Sequence, residues 1–371
     1  MSDLAELLKA KDASIDADDD FDAINRLYME RGWGDGLPLV PPTVERVEKM
    51  LAYCDRPWHE PIAKMAPRYG EATPVRLAAN AVMAGCTPNY FPLFMLAIEA
   101  MCEEPFNLYG VQATTHLCAP LVIVNGPVAL ELGINAGHNA FGPGTHSNAT
   151  IGRAIRLALV NIGGAIPMLG DMSTFGAPSK FSYLVAEHEA ASPWDPLHVE
   201  RGLPKEASAV TVVGAECPHN VNDHESLSGE GILTTIAGTV ATTGNNDIYY
   251  AAQPVIVMGP EHAKAVAADG YSKRDAKRFI QEHATLPLGK FSKENIERRF
   301  RITFKEKYAT AGLDAPVFAV QNADDIIIAV IGGAGKHSAY IPTFGATKAV
   351  TRALKRKDGQ LAKSVEEFRR G

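Results

Sequence analysis

Val122-Ile-Val-Asn-Gly-Pro127 and Val255-Ile-Val-Met-Gly-Pro260 match at five of six positions. Each is a short apolar run rich in β-branched residues, the pattern of a strand buried on both faces. Each ends in Gly-Pro, and proline suits the first position of a helix. Helix-like segments follow, brief at 128–132 and fuller at 261–269. A third run, Ile326-Ile-Ile-Ala-Val-Ile331, ends in Gly332-Gly-Ala-Gly335, and a fourth lies at 209–213. Strands alternating with helices predict an α/β fold.

The spacing extends the match. Cys86 stands 36 residues before the first hexapeptide and Cys217 stands 38 before the second, each close to a proline. We therefore expect two similar strand-helix units, an internal duplication, behind an N-terminal helical segment. The expected divisions are 1–72 for the N-terminal helices and a Gly/Pro loop, 73–204 for the first α/β unit, and 205–371 for the second with a C-terminal helix. The competing reading is chance likeness, because valine and isoleucine dominate buried strands.

The first 31 residues carry two helical patterns, Leu4/Leu7/Leu8 and Phe21/Ile24/Leu27/Tyr28, parted by the acidic run Asp16 to Asp20. Gly32 to Thr43 reads Gly-Trp-Gly-Asp-Gly-Leu-Pro-Leu-Val-Pro-Pro-Thr. Glycine admits unusual backbone angles and proline removes donors, so this is neither helix nor central strand. It reads as a rigid loop that holds Asp35 in place, either for chemistry or as a turn aspartate accepting backbone N–H groups. Thr43 and Thr73 are suited to cap the helices that follow, with Pro74 at a first position.

The chain has 371 residues with 46% hydrophobic and 21% charged, an ordinary globular composition with ample length for a core. Its formal net charge of −7 argues against a nucleic-acid footprint. The basic cluster Lys348 to Lys363 reads as a solvated helix. No apolar run reaches membrane-spanning length, and the acidic N-terminus lacks a signal-peptide pattern, so a cytoplasmic protein is expected. The five cysteines are odd in number and widely spaced without a Cys-x-x-Cys pair. Neither a disulfide framework nor a zinc-finger site is expected.

Cys86 precedes Thr87 and Pro88, which suit a helix start. A thiol at a helix N-terminus feels the positive end of the dipole and leans toward thiolate, the form required of a nucleophile, redox centre or metal ligand. The commoner role is a small buried cysteine. Cys217, with His219, Asp223 and His224 nearby, reads as a metal site, a thiolate–imidazolium pair or a polar loop. His116, Cys118, His138 and His146 offer nitrogen and soft sulfur that would suit zinc, copper or iron, although no spacing among them matches a known ligand motif. No cofactor is identified by the sequence; these residues admit a transition metal.

Asn148, expected at a helix cap, and Arg153 would receive a carboxylate or phosphate; the plainer role of Arg153 is ion pairing. Lys180, in a polar loop after Asp171, would hold an anion. Glu187, His188 and Glu189 offer proton transfer or plain helix surface. Gly332 to Gly335 with Lys336 and His337 reads as an anion-binding nest at a strand end or a tight turn. It is neither a Walker A motif nor a Rossmann fingerprint.

Together these segments resemble an uncharacterised bacterial family. Its members carry a Gly-Asp-Gly-Leu-Pro-x-Val-Pro-Pro-Thr loop, as at Gly34 to Thr43, and an Ala-Gly-Cys-x-Pro segment, as at Ala84 to Pro88. The Ile-Gly-Arg-Ala run at 151–154, Gly-Pro-Glu-His-Ala at 259–263 and Gly-Lys-x-Ser at 335–338 are similar too. The family is associated with small UGSC-type (seleno)proteins, and the likeness spans Gly32 to Arg352. It implies a thiol or selenol partner protein, and no activity or catalytic residue.

The expectation is an enzyme acting on a small anionic organic molecule through a thiolate- or metal-assisted step, as lyase, hydrolase or thiol-dependent oxidoreductase. Cys86, Asp35 and His337 would be catalytic, and Arg153, Lys180, Lys336 and Asn148 would bind substrate. The alternative is a non-catalytic subunit that docks a small UGSC-type thiol or selenol protein. A homo-oligomer with no nucleic-acid or membrane partner is expected under both.

Overall fold

The computed structural model describes residue 15 and residues 17–370. The Leu4/Leu7/Leu8 pattern lies outside them. Two four-stranded sheets carry the fold. Their strands are β1 Ala119–Asn125, β2 Leu184–Ala186, β3 Ala209–Ala215, β4 His219–Asn222, β5 Val255–Met258, β6 Ile327–Val330, β7 His337–Ile341 and β8 Val350–Ala353. The longer helices are α1 Phe21–Arg31, α2 Val44–Leu51, α3 Pro74–Ala84, α4 Phe91–Met101, α5 His146–Asn161, α6 Gly229–Val240, α7 Pro260–Ala268 and α8 Lys273–His283. The expected α/β class is correct.

The chain forms two compact units, and neither is one continuous stretch. Among the described residues the first comprises those up to 186, 198–214 and those from 349 on; the second comprises 187–197 and 215–348. This differs from divisions at 72 and 204. The N-terminal helices belong to the first unit, and the last strand returns to it.

In the first unit the strand order is β8-β3-β1-β2, with β8 antiparallel to β3 and β2 parallel to β1. All seven residues of β1 and of β3 are buried, as strands covered on both faces must be. Helix α4 is apolar nearly all round, and only Glu99 among its residues keeps some exposure. Such a helix is stable only inside a core. The basic cluster near the C-terminus is not a helix. Thr351 lies opposite Thr211 in the ladder, and their hydroxyls share a 2.8 Å hydrogen bond. Val350 and Ala353 are buried while Thr351 and Arg352 are half-buried, so strand pairing overrides the charge pattern.

The caps follow local chemistry. Asp20 caps α1 by accepting from Ala23 N, and Thr43 and Thr73 cap α2 and α3 in the same way. Pro88, however, opens only a short 3₁₀ turn, Pro88–Tyr90, and α4 begins at Phe91. Helix α5 begins at His146, so Asn148 lies inside its first turn and is not its cap.

In the second unit the order is β6-β5-β7-β4; β5 and β6 are parallel, and β7 runs antiparallel to both β5 and β4. Leu233, Ile236, Ile256, Ala263, Ile280, Ile328 and Tyr340 belong to its core. The two matching hexapeptides thus contribute one interior strand to each sheet. Each is followed by a helix starting at the proline, short at Pro127–Glu131 and longer in α7. Like placement of a single strand does not establish a duplication, since buried β-branched strands can share composition without common origin.

Candidate functional site

Of the residues expected to bind substrate, Asn148, Arg153 and Lys180 lie in the first unit and Lys336 in the second. In the first unit the charges are satisfied by one another. Arg153 on α5 donates from Nε to Asp35 Oδ2 at 2.7 Å and from a terminal nitrogen to Oδ1 at 2.9 Å. The same terminal nitrogen reaches the carbonyls of Leu37 and Pro38. Asp35 Oδ1 also accepts from Leu37 N, as a turn aspartate does. Burial pushes the Asp35 carboxyl upward, but hydrogen bonding and charge from Arg153 prevail and hold it below the ordinary value. Asn25 and Asn161 fasten the same loop, through Leu39 and the Trp33 carbonyl. The glycine-proline segment is therefore an ordered loop, with Asp35 serving as its anchor.

Asp171 takes Lys180 on both oxygens, at 2.8 and 2.7 Å, and Arg156 on Oδ2 at 3.0 Å. Burial opposes its ionisation, and the bonds and charge of Lys180, with Ser173 N–H and Arg156, overcome it and keep the carboxyl low. Asn148 is buried and spends its amide on the carbonyls of Asn135, Ala140 and Leu184, while its oxygen accepts from Asn135 N. Arg153, Lys180 and Asn148, expected to bind substrate, thus each hold partners within the fold.

Cys86 is half-buried and follows Gly85 at the end of α3, its N–H donating to Ala81 O. Desolvation pushes its thiol up to about 12, and a hydrogen bond with the Thr150 side chain lowers it only in part. Burial thus works against the expected lean toward thiolate, and the 3₁₀ turn that follows the cysteine has little dipole to oppose it.

Metal candidates of the sequence do not assemble. Cys118 is buried and donates to Val111 O, His116 is half-buried, His138 is exposed, and His146 leans on the Tyr90 hydroxyl at 3.4 Å. In the second unit Cys217 is half-buried and His219 exposed on β4. Among the described residues no three His, Cys, Asp or Glu side chains are grouped to hold a metal.

The second unit does bring other residues together, at the carboxyl ends of the parallel strands β5 and β6. Open α/β sheets bind ligands at this end. His224 and His337 are both exposed, with their Nε2 atoms 3.1 Å apart and their rings edge to face. Lys336 donates from Nζ to the His224 carbonyl at 2.7 Å. Gly332 and Gly335 take φ of 119° and 141°, so the loop from β6 to β7 needs glycine there. His188 Nδ1 lies 3.2 Å from the Gly332 carbonyl, and Glu187 accepts from Leu197 N, so both brace loops.

Behind the exposed pair lies His262, which the sequence reading passed over. It is buried on α7, with Nδ1 2.8 Å from Ser338 Oγ and Nε2 3.0 Å from the Asp223 carbonyl. A carbonyl only accepts, so Nε2 carries the proton and Nδ1 accepts from the Ser338 hydroxyl. Ser338 Oγ in turn accepts from Gly259 N at 3.1 Å. The Asp223 carboxylate takes Ser226 N and the Thr235 hydroxyl, which hold it low against burial. Asp223 and Ser338 are the chain neighbours of His224 and His337. One buried imidazole therefore fixes the backbone on both sides of the exposed pair. The available signal was position: His262 falls in the first turn of the helix after β5, where side chains reach the strand ends.

Imidazole is a common proton-transfer group, and the adjoining lysine and glycine loop offer positive charge to an anion. No protein family, curated protein or solved structure matches the chain. Among the described residues no helix is long and apolar enough to cross a membrane.

Proposed function

We propose that the chain is an enzyme acting on a small anionic organic molecule, with His224 and His337 as its reacting groups and Lys336 beside the glycine loop as its anion holder. The observation that supports this best is the 3.1 Å approach of two exposed imidazoles on a frame locked from behind by His262. Surface histidines with no task have no reason to be held so closely. General acid–base chemistry at such a pair serves lyases and hydrolases alike. The thiol-redox branch loses support, because a thiol pushed up to about 12 offers almost no thiolate near neutrality.

The test is a panel of small carboxylates and phosphate esters, scored by thermal shift and by product formation in NMR spectra. A productive ligand should raise the Tm of the native chain, lose that effect in Lys336→Met, and stay unconverted by His337→Asn. Turnover retained in His337→Asn and His224→Asn together would reject the proposal.

A second reading, a subunit that docks a small UGSC-type protein, has one feature of its own. A cavity of about 600 Å³, lined in part by Phe21, Tyr28, Trp33, Val44 and Met83, opens beside the glycine-proline loop. Sedimentation of the mixed proteins, with Trp33→Ser as the control, separates this role from catalysis.

A further inference from the structure

The two exposed histidines meet at an angle that a simple hydrogen bond does not favour. Their Nε2 atoms are 3.1 Å apart and their ring centres 4.8 Å apart. A head-on N–H···N bond would separate the centres by the nitrogen distance plus a ring radius at each end, which is clearly more than 4.8 Å. At least one ring axis is therefore bent from the line between the nitrogens. Two nitrogens 3.1 Å apart can each stand roughly 2 Å from one shared point, which is the length of a zinc–imidazole bond. The 82° between ring planes is no obstacle, because each ring can turn about its own axis and still aim at that point.

We propose that His224 and His337 bind one divalent transition-metal ion through Nε2. Imidazole nitrogen suits zinc, nickel, cobalt and copper, and disfavours magnesium and calcium, which take oxygen. Among the described residues no further His, Cys, Asp or Glu completes a group of three. The other coordination positions therefore go to water or to an anionic ligand. Lys336 is tied to the His224 carbonyl, so its ammonium stands next to the ligand's own backbone.

The frame supports pre-organisation. Asn222 is paired with His337 across the β4–β7 ladder, which fixes the start of β7. His262 holds Asp223 and Ser338, and so sets where the following and preceding histidines emerge. His262 is a positioning residue, and hydrogen-bonded supports of this kind typically change metal affinity 10–100-fold when removed. The proposal rests on the same reaction centre and changes its chemistry: an Nε2 bound to metal does not transfer protons, so the loaded ion, in place of the imidazoles, would activate water or polarise the substrate there. Metal binding is measured without any substrate, which keeps its failure distinct from a failure of the proposed activity.

The experiment uses the full chain, free of any affinity tag and stripped with chelator. Cobalt(II) is titrated by visible absorption and zinc(II) by calorimetry. One equivalent should bind, and binding should be lost in His224→Ala and in His337→Ala while the exposed His219→Ala variant keeps it. His262→Gln should weaken binding at least tenfold; should it fail to fold, the surface variants alone decide. No binding by the native chain at 100-fold excess zinc, binding unchanged in His337→Ala, or binding lost only in His219→Ala would each overturn the proposal.

Discussion

Arg153 grips Asp35 through two parallel hydrogen bonds, 2.7 and 2.9 Å long, across 118 residues of sequence. With side-chain exposures of 16% and 5%, neither charge has much water to fall back on. Removing one partner of such a pair strands the other, at a cost of roughly 3–5 kcal/mol. Asp35→Asn and Arg153→Met should each lower stability in urea by about that much, and the double variant by less than their sum. Wild-type stability in Asp35→Asn with activity abolished would return Asp35 to catalysis.

The thiol of Cys86 should be sluggish. Its ionisation is pushed up to about 12, so iodoacetamide labelling at pH 7 should be slow and should accelerate only under strongly alkaline conditions. Cys86→Ser should retain activity, and Cys86→Ala should cost about 1 kcal/mol of stability. Fast labelling at neutral pH, located at Cys86 by mass spectrometry, would show that the thiol is activated after all.

Asp247 should make stability fall as pH rises. Burial raises its carboxyl from 3.8 to about 7, against the hydrogen bonds from Tyr340 and Thr343 that favour the anion. Between those values the folded chain keeps a proton that the unfolded chain has lost. The stabilisation is therefore complete below the ordinary value and is lost on the way up to about pH 7. At about 1.4 kcal/mol per unit it amounts to a few kcal/mol. Asp247→Asn cannot ionise, so its stability relative to the native chain should improve from pH 4.5 to 7.5. Parallel curves would place the proton elsewhere.

Asp171 should act in the opposite sense. Its carboxyl is held below 3.8 with Lys180 and Arg156 beside it. The contribution is whole above the ordinary value and disappears as acid titrates the folded carboxyl. Acid unfolding of Asp171→Asn, followed by circular dichroism, should lack the part of the native chain's loss that falls below about pH 4.

Gly259→Ala tests the frame of the histidine pair. A Cβ there would lie 2.0 Å from the His337 carbonyl oxygen, which is backbone and cannot swing away. The variant should lose about 2 kcal/mol or more, within the range of severe packing errors, and should broaden the His224 and His337 ring signals in NMR spectra. An unperturbed variant would mean that the β7 start is loose.

The local features were legible because they depend on near neighbours. Thr43, Thr73 and Asp20 cap helices through bonds three residues away, and Val122 to Val124 and Val255 to Val257 form strands from composition alone. What failed was reading the partner. Arg153 and Lys180 looked like cations awaiting a substrate, yet their carboxylates are 118 and 9 residues away. Lys348 to Lys363 looked helical, and only the ladder to Thr211 makes part of it a strand.

By itself the sequence determined the α/β class, the caps, the two strand hexapeptides and the rigidity of the glycine-proline loop, all matters of backbone preference and short-range hydrogen bonding. Tertiary structure decided the rest: that Cys86 loses the water a thiolate needs, that Asp35 and Asp171 neutralise the cations once expected to hold substrate, and that His224 meets His337 over 113 residues. Those outcomes depend on desolvation and on charges brought close by folding. Both are set by what surrounds a residue in space, which its neighbours in sequence do not specify.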